Sequence, residues 1–202
     1  MMRKVLFILF FFSSCGVPEF SKLDTCLKKL IKNNDCDISL EVENSKDLNL
    51  TYKCNPERSH FAGLILLDAY SIFRENELVY EVYRILDSNG LLLLELTAKE
   101  IELLFNKLET YKGDLNLIKK SNAESIYNRL CKALQDGVSK EQFSNDLVTL
   151  KFDDFNNFEG FTIEKIEDED YIFFSNKNSS DNHLLLGYLF NEEQRIQGFT
   201  VE

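Results

Sequence analysis

An α+β domain with antiparallel sheet is the fold class this chain predicts, and three observations carry the prediction. Thr97–Glu100, Ser121–Glu124 and Ser139–Gln142 are Ser/Thr-x-x-Glu/Gln boxes, each followed by an apolar stripe of helical spacing. Two stretches of alternating apolar residues flank turn signals, at Asn44-Ser45-Lys46 and at Asn89-Gly90, as hairpins do. After Asp153 strand patterns follow one another without helices between them: Phe161 to Glu167, Tyr171 to Asn176, His183 to Phe190 and Arg195 to Val201. Helices and strands are therefore segregated and joined by hairpin-type links. Two prolines, eight glycines and no low-complexity linker point to one compact domain over residues 21–202, with about five helices.

The first helix starts at Ser21 and Asp24, because Leu23, Cys26, Leu27, Leu30 and Ile31 recur at helical spacing and Lys28, Lys29 and Lys32 fall on other faces. Cys26 thus faces the core, and Asn33-Asn34-Asp35 stops the helix. A hairpin follows from residue 36 to residue 54. With a three-residue loop, Val42 faces Leu48, Leu40 faces Leu50, Ile38 faces Tyr52 and Cys36 faces Cys54. All four pairs lie on one face.

Asn55-Pro56 is a helix start with Glu57 in its first turn, and Phe61 to Phe73 is apolar nearly all round, as in a central helix buried on several sides. Leu78 to Leu86 reads as a strand paired through Asn89-Gly90 with the following leucines, setting Arg84 opposite Glu95, Ile85 opposite Leu94 and Tyr83 opposite Leu96. Leu78, Val79, Val82, Tyr83 and Leu86 also fit a helical continuation. The Thr97 box opens the helix of Ile101, Leu104, Phe105 and Leu108. The Ser121 box opens one carrying Ile126, Tyr127, Leu130, Cys131 and Leu134, which Gly137 ends. The Ser139 box opens the helix of Phe143, Leu147 and Leu150.

The N-terminus predicts where the chain works. Arg3 and Lys4 precede an apolar run from Val5 to Phe12, and Ser13-Ser14 place small residues before Cys15, which is the form of an export signal. The run is too short to cross a bilayer, which takes about 20 apolar residues. Ser13-Ser14-Cys15 resembles the lipobox of bacterial lipoproteins, with Phe12 where Leu is commonest. The resemblance covers the N-terminus alone. It implies a signal peptide of residues 1–14 and a diacylglyceryl group on the Cys15 thiol. It further implies acylation of the new amine, with residues 15–20 as the lipidated cysteine and a short tether. More than one acyl chain is what stable anchoring takes. An ordinary secretory signal and a cytosolic chain are the alternatives. Gly16, where some lipoproteins have the Asp of inner-membrane retention, leaves the periplasmic face of the outer membrane as the expected location.

Loss of Arg3 and Lys4 with the signal takes the formal charge from −11 to −13, leaving 21 basic against 34 acidic side chains. Such a body is repelled by phosphate backbones and anionic lipid, so nucleic acid is disfavoured, and an acidic surface suits either solubility, the commoner reason for one, or a basic protein partner. In an oxidising compartment Cys26, Cys36, Cys54 and Cys131 are disulfide candidates with three full pairings, Cys36–Cys54 first by the hairpin register. The other reading is buried free thiols.

No phosphate loop, dinucleotide fingerprint, Cys-x-x-Cys or metalloprotease helix motif occurs, so no catalytic, cofactor or metal residues are assigned. His60 near Cys54 is conceivable as a nucleophile pair but has no orienting partner in the pattern, and His183 reads as a surface residue. Glu167-Asp168-Glu169-Asp170 lacks the spacing of a calcium loop and reads as a solvated turn, while Asp87 to Gly90 is better spent as the hairpin turn. Phe173, Phe174, Tyr188, Phe190 and Phe199 read as core beneath a sheet, or as an exposed partner face. The leading expectation is a non-enzymatic, lipid-anchored envelope protein that binds another protein, in one version an immunity or inhibitor protein against a basic toxin or hydrolase. The competing one is an envelope hydrolase or small-ligand binder whose site is assembled from distant residues.

Overall fold

The computed structural model describes residues 17–53, 61–149, 152–191 and 195–201. It is an α+β domain in which, among these residues, six α-helices and two four-stranded sheets share one hydrophobic core. The first helix, α1 (Val17–Asn34), begins four residues earlier than Ser21, with Pro18 in its first turn, where a missing N–H costs nothing. The stretch expected as tether is therefore largely helix.

The first sheet has the order β1 (Asp37–Glu43), β2 (Asp47–Lys53), β3 (Val82–Leu86), β4 (Leu92–Thr97). The β1–β2 hairpin has the expected register, with Val42 against Leu48, Leu40 against Leu50 and Ile38 against Tyr52. The β3–β4 hairpin likewise pairs Tyr83 with Leu96, Arg84 with Glu95 and Ile85 with Leu94, and bulges at Leu86. Strand pairing, not helix, is thus the fate of Val82 to Leu86. One pair departs from an all-antiparallel reading: β2 and β3 run parallel. The helix between them, α2 (Phe61–Glu75), makes the crossover that parallel strands require.

The second sheet is an antiparallel meander, β5 (Asn157–Ile166), β6 (Glu169–Lys177), β7 (His183–Leu189), β8 (Ile196–Val201). Helix α2 packs against α1, against β3 and β4 of the first sheet and against β5 of the second. Ala62, Ile65, Leu66, Leu67, Ala69, Tyr70, Ile72 and Phe73 are all buried, which is why its sequence is apolar nearly all round apart from the stripe of Asp68, Ser71 and Glu75. Gly63 is obligatory at the seam, since a Cβ there would lie 2.9 Å from the Phe161 carbonyl oxygen.

Helix α3 (Ala98–Lys119) is the longest element, opened by a complete capping box: Thr97 Oγ1 accepts from the Glu100 N–H and the Thr97 N–H donates to Glu100 Oε2 at 2.7 Å. The single helix expected after Ser121 is two, α4 (Ala123–Tyr127) and α5 (Lys132–Gly137). Asn122, not Ser121, caps α4, accepting from the Ser125 N–H at 3.2 Å. Residues between the two helices are drawn out to β8: the Ile196 N–H donates to Arg129 O at 2.9 Å and the Cys131 N–H to Ile196 O at 2.8 Å. Those bonds outcompete the helical continuation that the apolar spacing favours. Helix α6 (Lys140–Thr149) follows, with Ser139 Oγ accepting from the Gln142 N–H as its cap, and a 3-10 turn, Phe152–Asp154, leads into β5.

Candidate functional site

Buried polar side chains gather where the C-terminal half of α3 crosses the second sheet. Tyr111 and Asp114 stand three residues apart and share the face that meets the strands. The Tyr111 ring stacks on Phe174 with centroids 4.8 Å apart, and its hydroxyl donates to Asn176 Oδ1. Asn176 Nδ2 in turn donates to the Phe155 carbonyl at 2.9 Å. Asp114, with its side chain 4% exposed, accepts from Arg129 Nε at 2.8 Å, from Arg129 Nη2 at 3.2 Å and from the Tyr188 hydroxyl at 3.0 Å. Burial pushes the Tyr111 and Tyr188 phenols up, with Asp114 adding to the rise at Tyr188, so both stay protonated at neutral pH. Both Asp114 oxygens are committed. The arrangement clamps α3, the α4–α5 link and two strands together, and offers no free base.

The outward face of the second sheet is open around Tyr171, Phe173, Leu185 and Thr200, with Ser175 and Leu189 buried at its ends. Its rows run Glu164–Tyr171–Leu189, then Thr162–Phe173–Gly187–Gly198, then Ser175–Leu185–Thr200. A groove of about 350 Å³ lies among Thr162, Glu164, Phe173, Leu185, Gly198 and Thr200. The Phe173 ring lies over the paired glycines: a Cβ on Gly187 would fall 2.7 Å from Phe173 Cε1. Tyr171 stacks beside it at 6.2 Å and donates its hydroxyl to Glu169 at 3.2 Å.

At the far end of this face Ser175, Glu159 and His183 meet. Ser175 Oγ donates to Glu159 Oε2 at 3.2 Å, and His183 Nδ1 lies 2.7 Å from the same oxygen. Acyl transfer needs the imidazole between hydroxyl and carboxylate, whereas here the carboxylate is in the middle and Ser175 is fully buried. His183 keeps 36% of its side chain exposed, in keeping with a surface position at a strand start, while pairing with Glu159.

A second groove, of about 440 Å³, separates the two sheets beside the start of α2, lined by Tyr52, Ala62, Gly63, Asp87, Leu94 and Phe161 among others. Asp87, its one carboxylate among the described residues, accepts from the Leu91 and Asn89 N–H groups at 2.8 Å each, and these bonds hold it below the ordinary carboxylate range. It builds the β3–β4 turn. On the outer face of the first sheet Arg84 bonds Glu95 across the hairpin and Asp47 at 3.1 Å, with Glu43 at 3.8 Å.

Of the cysteines singled out by sequence, Cys26 is in the core as expected, its thiol 3.9 Å from the Ile72 carbonyl oxygen and pushed up mainly by burial. No disulfide joins two described cysteines. Cys26 and Cys131 carry free thiols, which corrects their candidacy as bridge partners: one is sealed between α1 and α2, the other caps the start of α5. Cys15, Cys54, His60 and the Asn55-Pro56 start signal lie outside the described residues, and with them the Cys36–Cys54 bridge and the Cys54/His60 pair. Glu167 to Asp170 form the β5–β6 turn and its flanks, and no group of three metal-ligating side chains occurs among the described residues. Phe174, Tyr188 and Phe190 are core, while Phe173 stands on the outer face and Phe199 packs inward on Phe143 and Phe152. Tyr188 was legible as core, but its bond to Asp114 and that of Arg129 were not, because 74 and 15 residues separate them from Asp114. Comparison with family models, with curated proteins and with solved structures returned no match.

Proposed function

We propose that this chain is a lipid-anchored protein of the bacterial cell envelope, held through Cys15 at the periplasmic face of the outer membrane, and that it works by binding a basic protein partner without catalysing a reaction. An immunity or inhibitor role is the specific form of this reading. The observation that carries it is the pairing of a lipobox-like N-terminus with a body of 21 basic and 34 acidic side chains. The position of α1 supports it: a lipid on Cys15 would be joined through Gly16 alone to a helix that starts at Val17. A Cys36–Cys54 bridge belongs to the same reading, since Asp37 stands opposite Lys53 and that register carried one step further would set 36 against 54. Two measurements test it. Mass spectrometry of protein from intact envelopes should find an acylated cysteine at the start of the mature chain. Cross-linking in those envelopes should capture a basic partner that high salt releases. An unacylated chain retaining Met1 would sink the anchor, and a body that stays solitary would sink the binding role.

A further inference from the structure

The geometry points to the outer face of the β5–β8 sheet as the docking surface, and we propose that its occupant is an extended cationic segment of a partner protein. The inference rests on the protein-binding reading and deepens it by choosing a face. Phe173 and Leu185 give the face an apolar centre; the Phe173 ring covers Gly187 and Gly198, and the depression beside it, of about 350 Å³, lies among Thr162, Glu164, Leu185, Gly198 and Thr200. One apolar side chain of a partner fits such a depression, as anchor residues do at the centre of interfaces.

Charge selects the occupant. The β5–β6 hairpin carries six acids, Glu159, Glu164, Glu167, Asp168, Glu169 and Asp170, against Lys165 and Lys177. Glu159 is held by His183, and Lys177 by Asp181 at 3.0 Å. Glu164 and Glu169 flank Tyr171 on the exposed rim, directly beside the apolar centre. An extended segment whose inward-facing positions, two residues apart, are in turn apolar and basic would set one side chain in the depression and the next against that rim.

The test is an amide chemical-shift titration of the mature domain with a short synthetic peptide in which lysine and leucine take turns at every second position, with serine between them. Shifts should centre on Thr162, Phe173, Leu185, Gly198 and Thr200. Affinity should fall about tenfold or more in Phe173→Ala, and should fall and lose salt dependence in Glu164→Lys/Glu169→Lys, whose exposed sites leave folding intact. Glu41→Lys on the first sheet should leave affinity unchanged. Shifts centred on the groove between the sheets, or an equal loss in Glu41→Lys, would overturn this face and leave the protein-binding reading standing. No binding anywhere would overturn both, and tighter binding of an uncharged oligosaccharide at the same residues would overturn the cationic occupant.

Discussion

Asp114 concentrates three hydrogen bonds on one nearly inaccessible carboxylate, so truncating it leaves the Arg129 guanidinium and the Tyr188 hydroxyl without their partner. Asp114→Ala is expected to cost about 3 kcal/mol, the lower end for a broken buried pair because Arg129 is 33% exposed. Tyr188→Phe removes one bond from the same hub and is expected to cost about 1 kcal/mol. Urea unfolding of both variants measures the difference, and equal costs would refute the hub. Asp68 behaves oppositely. Burial against α1 raises its carboxyl, opposed by the hydrogen bond from Asn34 Nδ2 at 3.0 Å and by Lys29. The folded state therefore holds that proton more tightly than the unfolded one, so this contribution is present below the unfolded value and is lost as pH rises through the folded one. Asp68→Asn should raise the melting midpoint at about pH 7 and leave it unchanged near pH 3, where the carboxyl is protonated in both states. None of this was legible in the sequence. Asp114 follows Lys112 and Gly113 and resembles a solvated helix face, because its partners are distant in the chain.

Elements whose signals are local emerged from the sequence nearly intact, and elements decided by distant strands did not. Both hairpin registers could be counted from their turns, since period-two alternation permits no one-residue slip without turning the apolar set outward. The Thr97 box was equally legible, and its bond geometry predicts that Thr97→Ala costs about 1 kcal/mol in thermal unfolding. Helix α3 continues past Leu108 to Lys119, its buried stripe running on through Tyr111, Leu115 and Ile118 to meet the second sheet. The apolar positions from Ile126 to Leu134 have perfect helical spacing and still break at Leu130, where β8 supplies backbone partners. Parallel pairing of β2 with β3 was hidden for the same reason: local alternation reports a face, not which strand lies alongside.

At the scale of the molecule, α2 joins the two sheets, and the tightest point of that joint is Gly63 against Phe161. Gly63→Ala should cost about 1–3 kcal/mol by overpacking, since the Phe161 backbone oxygen cannot swing aside as a side-chain tip can. The joint also bears on anchoring. Helix α1 packs on α2, and its first turn starts one residue after Gly16, so a lipid on Cys15 would be coupled to the core by a helix and not by a slack tether. Phe20, 73% exposed near that helix start, would then lie close to the bilayer interface. Because the described core begins beyond position 15, removing the thiol should separate location from stability. In Cys15→Ser the protein is expected to leave the membrane fraction and keep its melting midpoint. A Cys15→Ser protein that still sediments with membranes would show that something other than a lipid holds the chain, whereas a released but unfolded one would show that the anchor is part of the fold.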